Sequence, residues 1–417
     1  MKIIVQKFGG TSVRDDESRS HAINHIKQAI SEGFKVVVVV SAMGRKGEPY
    51  ATDTLLSLIG GNDSHLKPRE YDLLLSCGEV ISSVVFTNNL HENGVNATAL
   101  TGSQAGFLTN GEHTSAKILD MKCERLLKEL EAVDVVVVAG FQGGAPNGDV
   151  TTIGRGGSDT SAAALGAALN AERVDIFTDV EGIMTADPRI AENARPLPVV
   201  TYTEVCNMAY QGAKVIHPRA VEIAMQANVP IRIRSTYSDS LGTLVTDKNG
   251  KQNKGSDIKE RPVTGIAHVS NVTQVKVFAK KDQYNLQSEV FKAMANENIS
   301  VDFINISPKG VVYTVSEGMT NRAISILESL GHEPLVERNC AKVSVVGAGM
   351  AGVPGVTSKI VTALSEKGIR ILQSADSHTT IWVLVKEEDL ILAVNALHDA
   401  FQLEAVQEYF DNSSQGV

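Results

Sequence analysis

The sequence is poor in aromatic side chains and in cysteine. Phe, Trp and Tyr together make up 5% of the 417 residues, so a folded core must consist mainly of aliphatic side chains. Cysteine occurs at four widely separated positions, Cys77, Cys123, Cys206 and Cys340, without metal-ligand spacing. This usage is typical of reduced thiols, and we expect a cytoplasmic protein.

Long apolar runs and an excess of positive charge are also lacking. The longest apolar runs, such as 36–40 and 133–139, are too short to span a bilayer. Met1 leads directly into a predicted strand, so we expect no signal peptide. The net charge of −9 argues against nucleic acid or a membrane surface as a partner. A chain of this length is expected to form two or three domains.

Short β-branched runs alternate with helical stretches over the first 246 residues. The pattern predicts helices near 17–32, 69–93, 114–131, 158–170 and 214–227, and strands at 2–6, 35–41, 96–101, 133–140, 175–178 and 231–235. Continuous apolar strands separated by helices indicate an α/β fold, a mostly parallel sheet covered by helices on both faces. Ligands bind at the carboxyl ends of such strands, where glycine-rich turns follow the first, second and fourth.

The composition changes after residue 246. Residues 247–262 are polar and charged, which predicts a linker between domains. A weak βαββαβ repeat then predicts two ferredoxin-like modules, at 263–338 and 339–417. An alternative is that the last segment of the chain folds with the first module. The catalytic part is therefore predicted to be residues 1–246.

The first predicted strand ends in Lys7-Phe8-Gly9-Gly10-Thr11-Ser12. Two glycines at a strand end let backbone N–H groups approach an anion, and Lys7 adds a charge beside them. The lysine precedes the glycines, so the segment is not a Walker P-loop. We interpret it as a phosphate site. A tight turn with a surface lysine is the alternative that these six residues leave open.

A second glycine-rich segment runs from Thr151 to Ala162. Gly154-Arg155-Gly156-Gly157 brings the backbone close to a ligand, and Ser158, Asp159 and Thr160 suit the start of a helix. A guanidinium among N–H groups and hydroxyls suits a small carboxylate. The alternative is a glycine-rich hairpin followed by an ordinary helix cap.

Other charged residues have a functional and a structural interpretation. Asp179 stands at a strand end, where it would contact a nucleotide or its metal, and Arg189 would reach phosphates, although both also lie in turn-forming sequence. Lys214 stands near a predicted helix start and Glu79 within a long helix. For both Lys214 and Glu79, exposure to solvent is the default expectation. His217 is assigned no chemistry.

The segment 347–352 matches the G-x-G-x-x-G pattern of dinucleotide-binding sites and follows a predicted strand. Asp376 lies about where a ribose-binding acid would be expected. Too few residues follow for a nucleotide-binding half, and Val353-Pro354-Gly355 separates the glycines from the next helix. We therefore discount binding of NAD and a dehydrogenase activity.

Taken in order, these motifs resemble those of the aspartokinases over essentially the whole chain. The resemblance rests on Lys7–Ser12, 41–44 (Ser-Ala-Met-Gly), Gly78-Glu79, 154–159, 178–189 and 212–218. It implies an amino-acid-kinase fold followed by paired ACT domains, in a monofunctional enzyme like those of Bacillus-type bacteria.

The resemblance also implies ATP- and Mg²⁺-dependent phosphorylation of the β-carboxylate of L-aspartate, a step that leads to lysine, diaminopimelate, threonine and methionine. Lys7 and Asp159 are implied to be catalytic, with Lys7 neutralising charge and Asp159 organising the site. The implied ATP-binding residues are Lys7, Phe8, Gly9, Gly10, Thr178, Asp179, Met184, Arg189 and Lys214. The implied aspartate-binding residues are Ser41, Thr52, Glu79, Arg155, Gly156, Gly157 and Ser158. No protein ligand to the metal is assigned.

The paired ACT domains imply feedback inhibition by lysine or diaminopimelate, and at least a homodimer. The candidate effector residues are Asp282, Val353, Pro354, Gly355, Asp376 and Ser377. Met184 stands where many relatives carry Tyr. Residues 282–286 stand where relatives often have a Pro-Gly effector loop. The alternatives are a related kinase for glutamate, N-acetylglutamate or UMP, and a non-catalytic amino-acid sensor.

Overall fold

The computed structural model describes residues 1–61, 65–213, 215–247, 262–280, 284–350 and 352–404. The chain forms two compact units. Unit 1 contains 1–184, 196–210 and 214–257, and unit 2 contains 185–195, 211–213 and 258–417. The units thus differ from a single division near residue 246, because two short segments of the kinase-like sequence fold with unit 2. Most of the predicted linker lies outside the described residues.

Unit 1 contains twelve strands and seven helices among its described residues. The strands are β1 (Ile3–Phe8), β2 (Lys35–Val40), β3 (Ala97–Leu100), β4 (Phe107–Thr109), β5 (Ile118–Met121), β6 (Val135–Ala139), β7 (Gln142–Gly144), β8 (Val150–Thr152), β9 (Val174–Thr178), β10 (Val199–Thr201), β11 (Ile231–Ser235) and β12 (Thr243–Thr246). The helices are α1 (Asp16–Ser31), α2 (Thr52–Ser57), α3 (Pro68–Glu92), α4 (Glu124–Ala132), α5 (Gly157–Ala168), α6 (Tyr202–Tyr210) and α7 (Pro218–Ala227).

The main sheet of unit 1 has eight strands in the order β10-β12-β11-β9-β1-β2-β6-β3. All its pairs are parallel except that of β11 with β12. Val36–Val40 of β2 are completely buried, as expected for a strand covered on both faces. The mostly parallel α/β fold predicted from the sequence is confirmed, and it collects the carboxyl ends of β1, β2, β6 and β9 at one edge.

A second sheet of unit 1 departs from the prediction. Its order is β5-β4-β7-β8, and its strands have three or four residues each. The helix predicted at 114–131 is wrong in its first half, because β5 occupies 118–121 and α4 begins only at Glu124. Strands this short show too little alternation to be recognised, and a neighbouring amphipathic helix dominates the pattern.

Helix α3 is long and apolar enough to cross a membrane by length and composition, a test that core helices of soluble proteins also pass. It has Pro68 at its first turn, where a missing N–H costs nothing. Asp72 and Glu79 on this helix are buried, and both accept hydrogen bonds from other parts of unit 1. Such contacts are those of a core helix.

Unit 2 contains one six-stranded sheet in the order β14-β15-β13-β16-β18-β17. The strands are β13 (Gly265–Phe278), β14 (Asp302–Ser307), β15 (Gly310–Ser316), β16 (Leu335–Val346), β17 (Gln373–Asp376) and β18 (Thr380–Lys386), and the helices are α8 (Leu286–Asn296), α9 (Glu317–Ser329), α10 (Val356–Glu366) and α11 (Leu390–Ala400). The long strands β13 and β16 pair over most of their length, with irregular register between Val269 and Gln274. Two ferredoxin-like modules therefore share one sheet.

Candidate active site

The strand ends of the main sheet are tied together at its carboxyl edge. Ser41 N–H donates to the Phe8 carbonyl (3.2 Å), and Gly140 N–H donates to the Val40 carbonyl (3.1 Å). Thr236 N–H donates to the Thr178 carbonyl (2.9 Å) on the other side of β1. The turns after β1, β2, β6 and β9 therefore form one surface, as the parallel topology predicts.

An ion pair between Lys7 and Asp159 lies at this edge. Lys7 Nζ is 2.7 Å from Asp159 Oδ1, and each side chain is only 13% exposed. Asp159 lies in the first turn of α5, and its other oxygen accepts a hydrogen bond from His217 N–H (3.2 Å). A Cβ added to Gly9 would lie 3.6 Å from Lys7 Nζ, so the ammonium sits directly above the first glycine.

Gly10 is held against the turn that follows β2. A Cβ built on Gly10 would lie 2.6 Å from the Ala42 carbonyl oxygen and 2.7 Å from that of Gly44. Gly44 N–H in turn donates to the Gly10 carbonyl (2.9 Å). Backbone atoms on both sides leave no space for a side chain, so the second glycine is required by packing.

Replacing Gly10 with Ala is therefore expected to displace the 42–44 turn and to lower kcat/KM by roughly a hundredfold. Steady-state kinetics with circular dichroism as a folding check measures this effect. Gly33→Ala is not a suitable control, because Gly33 has a φ of +87°, at which alanine is strained whatever surrounds it. Gly111→Ala is the matched control, because nothing lies within 4 Å of its Cβ position. Equal activity of Gly10→Ala and Gly111→Ala would contradict the packing requirement.

Glu79 is buried, against the default expectation of a solvated carboxylate. It is 2% exposed, and its Oε1 accepts a hydrogen bond from Ala42 N–H (3.1 Å), while Oε2 has no protein partner. Burial raises the pKa of Glu79 to about 8, and the bond from the Ala42 N–H opposes this increase. Gly78 makes the approach of α3 close, since its Cβ would lie 2.9 Å from Ala42 Cβ.

The remaining residues assigned to aspartate lie mostly in the loop between β8 and α5 and in the first turn of α5. Gly156 adopts a φ of +69°, and Gly157 begins α5 against Phe141. Ser158 is buried, and its Oγ would lie 3.0 Å from a Cβ on Gly140, which places it beside the end of β6. Arg155 is exposed and lies between Gly154 and Gly156. Ser41 directly follows β2, and Thr52 begins α2.

Most of the residues assigned to the nucleotide lie at the ends of β1 and β9 and in the turns that follow these strands. Thr178 ends β9, and Asp179 forms an ion pair with Arg45 at 2.7 Å. Met184 forms an isolated antiparallel bridge with Pro196. The Phe8 side chain is completely buried and stacks on Phe177 at a centroid distance of 4.7 Å, so it belongs to the core and only its backbone faces the turn.

Two further residues assigned to the nucleotide, Arg189 and Lys214, are not found at the strand ends of unit 1 that the structure describes. Arg189 lies in the 185–195 segment of unit 2, where it forms an ion pair with Asp187 at 2.7 Å. Ala186 and Ala191 of this segment pack in the core formed by β16, β18, α10 and α11. Lys214 lies outside the described residues.

The candidate effector residues of unit 2 lie at two places in its second module. Val353, Pro354 and Gly355 precede α10, and Gly355 caps that helix with a φ of +95°. Asp376 ends β17, and Ser377 Oγ accepts a hydrogen bond from Thr380 N–H (3.2 Å). Asp282 lies outside the described residues. Their role as an effector site stays a prediction.

Sequence reasoning did not anticipate the burial of Asp72 on α3. Its carboxylate is completely buried and accepts hydrogen bonds from both the 113–114 loop and β8. An isolated Asp in a helix gives no signal of burial, because its partners are distant in sequence. His217, assigned no chemistry, caps α7 by accepting a hydrogen bond from Arg219 N–H (3.3 Å).

Comparison with known proteins identifies the family. The model of the amino acid kinase family matches residues 2–235, and that of an ACT domain matches residues 335–399. Aspartokinase 1 of Bacillus subtilis is 71% identical over 403 residues, which cover 97% of this chain and all of that relative. The chain belongs to the aspartokinases. The aspartokinase of Mycolicibacterium smegmatis is 41% identical and covers 97% of each chain.

Solved aspartokinase structures have the same architecture. Escherichia coli aspartokinase III in complex with aspartate and ADP superposes with a TM-score of 0.76 at 27% identity, covering 96% of this chain and 99% of that one. The same enzyme in complex with lysine and aspartate gives a TM-score of 0.75 at 28% identity, with the same coverage. The sequence-based assignment to the aspartokinases, with an amino acid kinase domain and ACT modules, is confirmed.

Proposed function

We propose that the Lys7–Asp159 edge of unit 1 transfers the γ-phosphoryl group of ATP to the β-carboxylate of L-aspartate, giving 4-phospho-L-aspartate. The observation that carries this proposal is the partly buried Lys7–Asp159 ion pair above the glycine turn. The relative of known structure that binds aspartate and ADP supports the choice of substrates.

The chemistry needs charge neutralisation more than it needs a base. A carboxylate is already a nucleophile, so the barrier lies in bringing two anions together and in stabilising charge on the transferring group. Lys7 supplies the positive charge at that point, and the N–H groups of Gly9 and Gly10 hold phosphate oxygens. Arg155 holds a substrate carboxylate, and Glu79 holds the substrate ammonium group.

Mg²⁺ is a proposed cofactor, and it supplies further positive charge to the phosphates when bound. Among the residues that the structure describes, no three His, Cys, Asp or Glu side chains are grouped to hold a metal ion. Asp159 and Asp179, the two carboxylates assigned to this site beside the phosphate turn, are each paired with a cation. This donor set fits a metal held mainly by nucleotide oxygens and water rather than by the protein.

Formation of an acyl phosphate tests the reaction directly. The purified chain, with ATP, Mg²⁺, L-aspartate and hydroxylamine, is expected to give aspartyl hydroxamate. Glutamate and N-acetylglutamate serve as competing acceptors. Hydroxamate from glutamate but not from aspartate would assign the chain to a different kinase, and no hydroxamate from any acceptor would favour an amino-acid sensor.

The ACT modules are proposed to make this activity sensitive to a product of the pathway that leads to lysine, diaminopimelate, threonine and methionine. We expect a cytoplasmic homodimer or higher homo-oligomer whose two conformations differ in affinity for the effector. Lysine is the first candidate, since a structurally similar aspartokinase binds it, and diaminopimelate is the second. Titration of activity with lysine, diaminopimelate and threonine distinguishes them. Unchanged activity with all three would contradict this regulation.

A further inference from the structure

One face of helix α3 contacts the four-stranded sheet and the turn after β2 at three successive positions. Asp72 contacts β8 and the 113–114 loop, the Ser76 carbonyl accepts from the Gln142 side chain (2.8 Å), and Glu79 holds the turn after β2. These residues are four and three positions apart, so they lie on the same side of the helix. The face of α3 that contacts the turn after β2 through Glu79 therefore also contacts β8 through Asp72. Strand β8 leads directly into residues 153–156, called the Arg155 loop below.

The Asp72 carboxylate is saturated by donors from outside its own helix. Oδ1 accepts from the Thr152 hydroxyl (2.6 Å), and Oδ2 accepts from Thr152 N–H (2.9 Å) and lies 2.9 Å from His113 Nδ1. Thr114 N–H lies 3.0 Å from both oxygens. The side chain is 0% exposed, so these four donors replace its entire hydration.

The donors belong to the two segments that enclose the Arg155 loop. Thr152 ends β8, two residues before Gly154, and Ala116 N–H donates to its carbonyl (2.9 Å). Thr114 has a φ of +68°, an uncommon conformation for a residue with a side chain, and a Cβ on Gly154 would lie 3.1 Å from its carbonyl oxygen. The Asp72 carboxylate holds both the strained loop and the strand that delivers Arg155.

A second clamp acts from the opposite helix. Arg219 of α7 donates to the Ile153 carbonyl (3.0 Å) and to the Ala116 carbonyl (3.2 Å). The same two segments are thus fixed by a buried anion on one side and by a guanidinium on the other. Loop residues 153–156 are held before any substrate arrives, which lowers the entropy cost of binding.

We propose that Asp72 is a positioning residue for aspartate, acting through Thr152 to hold the 153–156 loop and the Arg155 guanidinium. This inference rests on the proposed function, in which Arg155 binds the substrate carboxylate. Because Asp72 acts on the aspartate side only, its loss raises KM for aspartate and leaves KM for ATP nearly unchanged.

The decisive experiment compares KM values for both substrates in Asp72→Asn, Thr152→Val and Thr152→Ser. Asn presents an amide N–H to a site filled with donors, so Asp72→Asn is expected to raise KM for aspartate by roughly tenfold or more, with KM for ATP within about twofold. Thr152→Val removes one donor and raises KM for aspartate less. Thr152→Ser keeps the hydroxyl and is expected to restore the native value.

The control is Asp149→Asn, a neighbouring carboxylate 3.8 Å from His113 Nε2 that directly precedes β8, whereas the Thr152 donors go to Asp72. If Asp72→Asn fails to fold, Thr152→Val and Thr152→Ser carry the test. A native KM for aspartate in folded Asp72→Asn, or equal increases for both substrates, would overturn the proposal. Inactivity of the unmodified enzyme with aspartate would instead refute the proposed function, so the two failures are distinguishable.

Discussion

Replacing Lys7 with Ala is expected to lower kcat by roughly a thousandfold, with a smaller change in KM for aspartate. In the proposed function, Lys7 brings a positive charge to the place where the γ-phosphoryl group is transferred. Its removal has a second effect, because Asp159 then loses its partner at 2.7 Å and presents an uncompensated negative charge to the phosphates. The loss should therefore exceed that of a simple missing contact.

A double-variant cycle separates the two effects. In Lys7→Ala/Asp159→Asn the repulsive carboxylate is absent, so part of the lost kcat is expected to return relative to Lys7→Ala alone. Lys2→Ala is the control for loss of one lysine, because Lys2 directly precedes the first residue of β1, at the opposite end of the strand from Lys7. Hydroxamate formation is the readout. Lys7→Ala with more than about a tenth of the native kcat would exclude Lys7 as the charge that enables transfer.

The dependence of the site on parallel topology explains what could be predicted from the sequence. Lys7 lies at the end of β1, Asp179 and the turn after β2 follow apolar strands, and parallel strands collect their carboxyl ends at one edge. The pattern of apolar strands therefore predicted that residues distant in sequence lie at the same edge of the sheet. The same logic could not anticipate the four-stranded sheet around β7 and β8, because strands of three residues have almost no periodicity.

Burial of ionisable side chains was the least predictable feature. Glu79 and Asp72 lie on one helix and would both be expected in solvent, yet each is held by donors 37 to 80 residues away in sequence. Such burial depends on tertiary contacts that no local propensity encodes. The fold of the 185–195 segment with unit 2 has the same cause, since its alanines pack among residues beyond position 340.

Binding of aspartate is expected to release a proton near neutral pH. In the free enzyme, burial raises the pKa of Glu79 to about 8, so this carboxyl is mostly protonated at pH 7. A substrate ammonium beside its unpartnered Oε2 favours the ionised form and expels the proton. The release should approach one proton per aspartate at about pH 7 and vanish above about pH 9.

Calorimetric titration of aspartate in buffers with different ionisation enthalpies measures this release. Glu79→Gln keeps the shape of the side chain and an oxygen for the Ala42 N–H, but it has no proton to give. It is expected to abolish the release and to raise KM for aspartate by roughly a hundredfold. Glu92→Gln, at the exposed end of the same helix, is the control. Equal proton release by the native enzyme and Glu79→Gln would refute the role of Glu79.

The same substitution should increase stability while it decreases affinity. Folding raises the pKa of Glu79 from 4.5 to about 8, so the folded state binds more protons than the unfolded state between these pH values. Stability contributed by this group therefore falls as the pH rises from 4.5 to 8. Glu79→Gln removes that cost, so its Tm should exceed the native Tm at pH 8, and the difference should shrink toward pH 4.5. A lower Tm for Glu79→Gln at pH 8 would show that the carboxylate serves packing rather than substrate.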